Sequence, residues 1–133
     1  MKIITLLLIV LVLLMACGLR RSNPLDPIGH SDVIVPYEVS GIITRASTAG
    51  QSIKFYELRW SANPTANTDG YYVYMGQGYN ANFARIGSVQ TNEFYEGGVF
   101  PGDYYFRVSA YKQQNGGILE GRLSQVCWVR VPN

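Results

Sequence analysis

Residues 36–133 consist of short runs rich in Val, Ile, Tyr, Phe and Trp, separated by clusters of Gly, Pro, Asn and Ser. Such runs are typical of β-strands, and no part of this stretch has the 3.6-residue apolar periodicity of a helix. The pattern predicts seven strands, at residues 38–44, 52–61, 70–75, 83–89, 93–95, 103–112 and 124–131. Seven short strands in about 98 residues favour an all-β, antiparallel Greek-key sandwich, which can bury a core without a disulfide.

Alternation along the strands divides their side chains between a buried and an exposed face, because residues two apart point the same way. In the sixth strand the more apolar set is predicted to face the core, and in the last strand the opposite register would bury Arg130. The residues predicted to point inward are Tyr71, Val73, Met75, Tyr104, Phe106, Val108, Ala110, Cys127, Val129 and Val131.

Several motifs in this stretch resemble the fibronectin type III family. Residues 58–60 (LRW) resemble the second strand of that family, and residues 70–74 (GYYVY) resemble its third strand. Residues 101–110 (PGDYYFRVSA) are very similar to its Pro-Gly-Thr-Tyr-Tyr-Phe-Arg-Val-x-Ala motif. The resemblance covers residues 36–133 and implies a seven-stranded, immunoglobulin-like sandwich with Trp60 in the core. It also implies that Tyr104 is a tyrosine-corner residue, whose hydroxyl bonds to the backbone just upstream.

The N-terminus predicts export. A short positive start precedes an almost wholly apolar run at residues 3–15, which is shorter than the ~20 residues that span a bilayer. Residues 14–17 (LMAC) resemble the lipobox of bacterial lipoproteins. This resemblance implies that residues 1–16 are a lipoprotein signal peptide and that Cys17 carries lipid, including palmitate.

An uncleaved membrane anchor is the alternative, because residues 3–19 are nearly uncharged and are followed by Arg20 and Arg21. An anchor, however, needs no small residue before a cysteine, and about 17 residues is the short limit for spanning. We therefore expect an extracytoplasmic protein of the bacterial cell envelope, held to the membrane by lipid on Cys17. Delivery to an outer membrane stays open, because Gly18 rather than Asp follows that cysteine.

Residues 17–35 are predicted to be a lipidated tether, because they contain two prolines and no sustained helix or strand period. His30, the one histidine of the chain, is interpreted as a solvated linker residue rather than a metal ligand. If Cys17 carries lipid, Cys127 has no partner within the chain. We expect Cys127 to act as a small buried hydrophobe.

A candidate binding face follows from the resemblance, because the third, sixth and seventh strands of that fold share one sheet. Their outward residues are Tyr72, Tyr74, Tyr105, Arg107, Tyr111, Trp128 and Arg130. Tyr, Trp and Arg dominate the energetics of interfaces, and arginine adds cation–π contacts. The alternative is that these residues only stabilise the sheet, since cross-strand pairs contribute roughly 0.2–1 kcal/mol each without a partner.

Two loops carry weaker signals. Ile118 and Leu119 form an apolar pair in the predicted loop 113–121, and they are either a contact site or part of a hairpin folded back on the sheet. Residues 61–70 bring together Asn63, Asn67 and Asp69, whose oxygens could bind Ca²⁺. With a single carboxylate, this composition is better explained by turn formation.

The composition excludes several functions. A lone His and scattered carboxylates give no nucleophile–base or zinc constellation, so we expect no enzyme activity, no metal and no cofactor. A net charge of +2 without a basic cluster argues against nucleic acid. The sequence therefore predicts a non-catalytic module that binds a protein or glycan partner at the envelope. The alternative is a structural or spacer subunit with no ligand of its own.

Overall fold

A computed structural model describes residues 22–133, which form two packed antiparallel β-sheets. The strands are β1 (Ile43–Ala46), β2 (Phe55–Arg59), β3 (Gly70–Gly76), β4 (Ala84–Val89), β5 (Glu93–Gly97), β6 (Gly102–Gln114), β7 (Gly117–Glu120) and β8 (Cys127–Val131). The predicted all-β sandwich is therefore confirmed. The predicted signal peptide, residues 1–16, and Cys17 lie outside the described residues. Within 22–133, no helix is long and apolar enough to cross a bilayer.

The longest strand, β6, organises the larger sheet. The smaller sheet has the order β1-β2-β5, and the larger one has the order β4-β3-β6, with both β7 and β8 on the far edge of β6. β6 has 13 residues and pairs with β3 from Gly70↔Tyr111 to Gly76↔Tyr105. On its other edge, residues 111–114 pair with β7 and residues 102–106 pair with β8. Three neighbouring strands are thus held in register along β6.

The strand boundaries differ from the predicted ones at both edges of the sandwich. The first strand is predicted over residues 38–44, but β1 begins at Ile43. Residues 38–42 instead border a groove against residues 124–127, and the Ser61 N–H donates to the Ser40 carbonyl oxygen at 3.1 Å. The last strand, predicted over 124–131, begins at Cys127 as β8. With β7 as an additional strand, the sandwich has eight strands rather than seven.

The segment 113–121, predicted to be a loop, is largely strand. β6 and β7 are joined by Asn115 and Gly116, whose φ angles are 50° and 76°. Positive φ at both central residues is the geometry of a two-residue type I′ hairpin turn, which Asn-Gly favours. Ile118 and Leu119 therefore lie on β7, with Ile118 exposed and Leu119 half-buried.

The core lies between the two sheets and contains the residues that alternation predicts. Leu58, Val73, Phe106, Val108 and Ala110 are fully buried. Three of the residues predicted to face inward are only partly buried, and they pack against this core cluster: Met75, Tyr104 and Cys127. Aromatic pairs cross it: the ring centroids of Tyr56 and Phe106 are 4.8 Å apart, and those of Trp60 and Tyr71 are 5.2 Å apart.

The expected tyrosine corner is present. The Tyr104 hydroxyl donates to the Phe100 carbonyl oxygen, four residues upstream, at 2.7 Å. Because Phe100 lies in the connection between β5 and β6, this bond ties that connection to the start of β6.

Residues 23–36 do not form a free tether. The Gln114 side chain accepts a hydrogen bond from the Ile34 N–H at 2.8 Å and donates to the Ile34 carbonyl oxygen at 2.6 Å. Val33 is buried, and His30, expected to be solvated, is half-buried. We call residues 23–36 the N-terminal strap. It packs on the β6–β7 hairpin because polar side chains there satisfy its otherwise unpaired backbone groups.

Glu57 is a buried carboxylate on the outer surface of the smaller sheet. Arg45 contacts one of its carboxylate oxygens at 2.6 Å and Arg59 the other at 2.7 Å. These hydrogen bonds lower the pKa of the Glu57 carboxyl, with the bond from Arg45 contributing most. The ion pair with Arg45 across β1 and β2, together with the pair with Arg59, thus replaces hydrogen bonds to water that the Glu57 carboxylate loses on burial.

Replacement of Leu58 by Ala is expected to lower the free energy of unfolding by about 2–5 kcal/mol, because it leaves a cavity in a close-packed core. The matched control is Ile43→Ala on the neighbouring strand, where the side chain is 67% exposed. We expect this control to cost less than about 1 kcal/mol. Urea denaturation of both variants measures the difference, and equal losses would contradict the position of the core.

Acid is expected to destabilise the protein partly through Glu57. Because its pKa is lower in the folded chain, the Glu57 carboxylate stabilises the fold above its unfolded pKa of about 4.3, and this contribution is lost as the pH falls through the folded value. Glu57→Gln should therefore flatten the decline of the melting temperature below about pH 4. The exposed Glu38 supplies the control, Glu38→Gln, which should leave the acid decline unchanged. An unchanged decline in both variants would refute this role of Glu57.

Candidate functional site

The predicted binding face lies on the outer surface of the larger sheet, where it divides into two parts. Around the middle and end of β6, Tyr72, Tyr74, Arg107 and Tyr111 are bound to neighbouring side chains or backbone. Around the start of β6, Tyr105 faces Trp128 across the β6–β8 pairing. The two parts differ in how much aromatic surface they leave open.

The first part is closed by stacking. The rings of Tyr72 and Tyr111 are 4.5 Å apart at 22°, and each residue is only 8% exposed. The Arg85 guanidinium lies 4.5 Å from the centre of the Tyr72 ring on β3 and covers it further. Gly70, which pairs with Tyr111, leaves the space for this ring, because a Cβ there would collide with the Tyr111 hydroxyl and ring atoms. Tyr72 and Tyr111 therefore offer little surface to a partner.

Polar contacts occupy the other residues of this closed part. The hydroxyls of Tyr74 and Ser109 both donate to Glu120 Oε1, at 2.6 and 2.5 Å. Burial, followed by the hydrogen bond to Glu120, raises the pKa of Tyr74 to about 12. Arg107 donates from Nε to the Ser124 carbonyl oxygen at 2.8 Å. Each of these side chains is thus engaged by a neighbouring polar group, as expected for the structural role that the sequence left open.

The second part presents open aromatic surface. Tyr79, from the β3–β4 connection, packs edge-on against Tyr105 with ring centroids 5.0 Å apart. Tyr79 is 60% exposed and Trp128 is 42% exposed. We call Tyr79, Tyr105 and Trp128 the open aromatic patch. Sequence reasoning missed Tyr79, although an aromatic residue in a connection rich in Gly and Asn (residues 76–82) is the signal that could have found it.

An ion pair borders the open aromatic patch. Arg130 binds the two carboxylate oxygens of Asp103 through Nε and Nη2, each at 2.8 Å, and the Trp128 indole N–H donates to the same carboxylate at 3.2 Å. The hydrogen bonds from Arg130 lower the pKa of the Asp103 carboxyl. Trp128 is thereby oriented at its polar edge while its ring remains accessible. An anchored aromatic ring of this kind needs little further ordering when it meets a ligand.

Two solved structures are similar to this chain. An Fn3-like protein from Clostridium thermocellum matches with 23% sequence identity and a TM-score of 0.59, over 74% of this chain and 96% of that one. The fibronectin type III domain of human fibronectin type III domain containing protein 3 matches with 19% identity and a TM-score of 0.54, over 74% and 89%. No family model and no curated protein matches the sequence. Residues 22–133 contain a single fibronectin type III fold.

The connection between β2 and β3 of this domain uses its polar residues in internal hydrogen bonds. Asn67 accepts from the Tyr37 N–H at 2.7 Å and donates to the Val35 carbonyl oxygen at 2.9 Å. Asp69 accepts from Lys112 at 2.9 Å and from the Gln113 N–H at 2.8 Å. The bond from the Gln113 backbone, then that from Lys112, lowers the pKa of Asp69. Attachment of the segment around Val35 and Tyr37 thus engages the side-chain oxygen of Asn67, and bonds to β6 engage the carboxylate of Asp69.

The Cys127 thiol of the domain is half-buried on the core side of β8. It donates to the Phe106 carbonyl oxygen at 3.6 Å, and burial raises the pKa of the thiol to about 11. Since the thiolate is the nucleophile, Cys127 has little reactivity near neutral pH. This agrees with its predicted role as a small apolar residue.

Gly70→Ala is expected to open the closed part of the face, because the added methyl group displaces the Tyr111 ring from Tyr72. Overpacking of this kind costs about 1–3 kcal/mol of stability. Gly78→Ala, where a Cβ meets nothing within 4 Å, is the control and should change stability by less than about 0.5 kcal/mol. Thermal unfolding measures both effects. Equal stability of the two variants would show that the stacking of Tyr72 on Tyr111 contributes nothing to the stability of the fold.

Proposed function

We propose that this protein is a lipid-anchored, extracytoplasmic fibronectin type III module that has no catalytic role and binds a protein or glycan partner at the bacterial cell envelope. The open aromatic patch is the observation that carries this proposal. Attachment through lipid on Cys17 is supported by the LMAC motif that ends at this residue. The proposal includes no nucleic acid, no metal and no cofactor.

The contrast within one sheet face supports binding at the open aromatic patch. Where aromatic residues serve the fold, as Tyr72 and Tyr111 do, they stack and lose almost all exposure. Tyr79 and Trp128 instead remain 60% and 42% exposed, and Trp128 lies beside the Asp103–Arg130 pair. Tyr, Trp and Arg are the residue types enriched among binding hot spots, where an apolar body is joined to a polar group.

A non-catalytic role is supported by the engagement of the titratable groups. Glu57, Asp69 and Asp103 each form ion pairs with arginine or lysine. Hydrogen bonds from arginine lower the pKa of Glu57 and of Asp103, and the bond from the Gln113 backbone, then that from Lys112, lowers the pKa of Asp69. Within residues 22–133, no three His, Cys, Asp or Glu side chains are grouped so that they could hold a metal ion. The fibronectin type III fold is itself typical of binding modules.

A structural or spacer subunit is the second candidate. The closed part of the face favours it, because the stacked tyrosines and the Glu120 hydrogen bonds stabilise the sheet without any ligand. On this interpretation the open aromatic patch would have no partner. The two candidates therefore differ in what happens when the patch is removed.

Cross-linked partners captured from intact cells distinguish the two candidates. The test variant is Tyr79→Ala combined with Trp128→Ala, and the control is Ile43→Ala combined with Tyr95→Ala, two exposed residues of the opposite sheet. Loss of a hot-spot side chain costs about 2 kcal/mol or more, so we expect capture to fall at least about tenfold in the test variant only. Equal capture by all three proteins, or no specific partner for the wild type, would favour the spacer.

The anchor is tested separately by Cys17→Ser. Because one modified cysteine is proposed to hold the protein, this variant should lose acyl labelling and leave the membrane fraction. Mass analysis of the peptide that begins at Cys17 provides the direct measurement. Retention of residues 1–16 on the mature chain would instead favour the uncleaved anchor.

A further inference from the structure

The N-terminal strap is fastened to one end of the domain at three places. Near its end it is held by Gln114, which binds both backbone groups of Ile34. Its beginning is held by Asn115, whose side chain donates to the Pro24 carbonyl oxygen at 3.0 Å. Its end is held by Asn67, which binds the backbone of Val35 and of the residue just after the strap. The described chain, which begins at Ser22, therefore meets the β6–β7 hairpin as early as Pro24.

This attachment shortens the distance between the proposed lipid and the folded domain. Cys17 is five residues before Ser22, where the described chain begins. Five residues span at most about 18 Å when fully extended. A tether that stayed free as far as residue 35 would reach about 60 Å. With the strap docked, the hairpin end of the domain is confined to the immediate neighbourhood of the lipid.

This same end displays apolar side chains. Val33 of the strap is buried, and Leu25 lies against the β6–β7 hairpin, because a Cβ at Gly117 would lie 2.8 Å from it. The neighbouring apolar side chains are exposed: Ile28 by 79%, Ile34 by 41%, Val35 by 48%, Tyr37 by 61% and Ile118, on β7, by 47%. Several exposed aliphatic residues on a segment that is fixed by hydrogen bonds mark an interaction surface rather than a solvated linker.

We infer that the N-terminal strap and the β6–β7 hairpin form a membrane-facing end that lies against the headgroup region of the bilayer. The inference rests on the proposed lipid attachment at Cys17. The bilayer is the occupant because the short length of chain between Cys17 and Ser22 brings this end nearest to it. Aliphatic side chains and a tyrosine suit the apolar and polar sides of a lipid interface, and their contact adds to the binding that acyl chains provide.

The membrane-facing end also sets the direction of the open aromatic patch. Tyr105 and Gln114 are nine residues apart on the uninterrupted strand β6, which separates them by about 30 Å. The patch is therefore carried at the opposite end of the domain. A partner would meet it at a fixed height above the lipid surface, without competition from the bilayer.

Depth-dependent fluorescence quenching tests this orientation. The full chain, with its Cys17 acylation verified by mass, is reconstituted in vesicles of phosphatidylethanolamine and phosphatidylglycerol that contain a headgroup nitroxide lipid. A fluorophore is attached after Tyr37→Cys or, as the matched control, after Tyr79→Cys, because these tyrosines are 61% and 60% exposed. Cys127 contributes little background, since burial keeps its thiol protonated.

We expect quenching to be several-fold stronger at position 37 than at position 79. Gln114→Ala, which frees Ile34 from the hairpin, should reduce that ratio toward one, whereas Gln113→Ala on the adjacent position of β6 should preserve it. Equal quenching at the two positions of an acylated protein would overturn the inference and leave the anchor intact. Absence of acylation would overturn both the proposed anchor and the membrane-facing end. Loss of partner capture alone would count only against binding at the open aromatic patch.

Discussion

Pairing of β6 with three neighbouring strands is the interaction on which the rest of the domain depends. Its 13 residues pair with β3 on one edge and with β7 and β8 on the other. Phe106, Val108 and Ala110 supply the fully buried inner side of this strand. A slip of one residue would exchange these side chains with Tyr105, Arg107 and Ser109, so burial of the core and composition of the outer face are set together.

The outer face of the larger sheet shows how the same residue types take different roles. Tyr72 and Tyr111 cover each other by stacking, and Arg85 covers Tyr72 further. Gly70 leaves the room that the Tyr111 ring occupies. Tyr105, six residues before Tyr111 on β6, packs against Tyr79, which is itself 60% exposed, and the neighbouring Trp128 on β8 is 42% exposed. The difference arises from neighbours rather than from the tyrosines themselves, and it supports binding at one end of the face and structural packing at the other.

The two ends of β6 thus have different proposed roles. Near its C-terminal end, the amide side chains of Asn67, Gln114 and Asn115 hold the N-terminal strap close to the proposed lipid attachment. At its start, the Asp103–Arg130 pair steadies Trp128 within the open aromatic patch. The strand β6 between them would hold the open aromatic patch away from the proposed membrane contact.

The sequence by itself determined the fold class and the inward residues, because two-residue alternation and turn composition are local properties of the chain. The tyrosine corner was implied by the resemblance of residues 101–110 to the fibronectin type III family. Only the tertiary structure decided which outward aromatics stay open. That outcome depends on residues distant in sequence, such as Tyr79 beside Tyr105 and Gly70 beneath Tyr111. The strap likewise looked like a tether, since nothing in its own composition reveals that Gln114, 80 residues away, pairs with the backbone of Ile34.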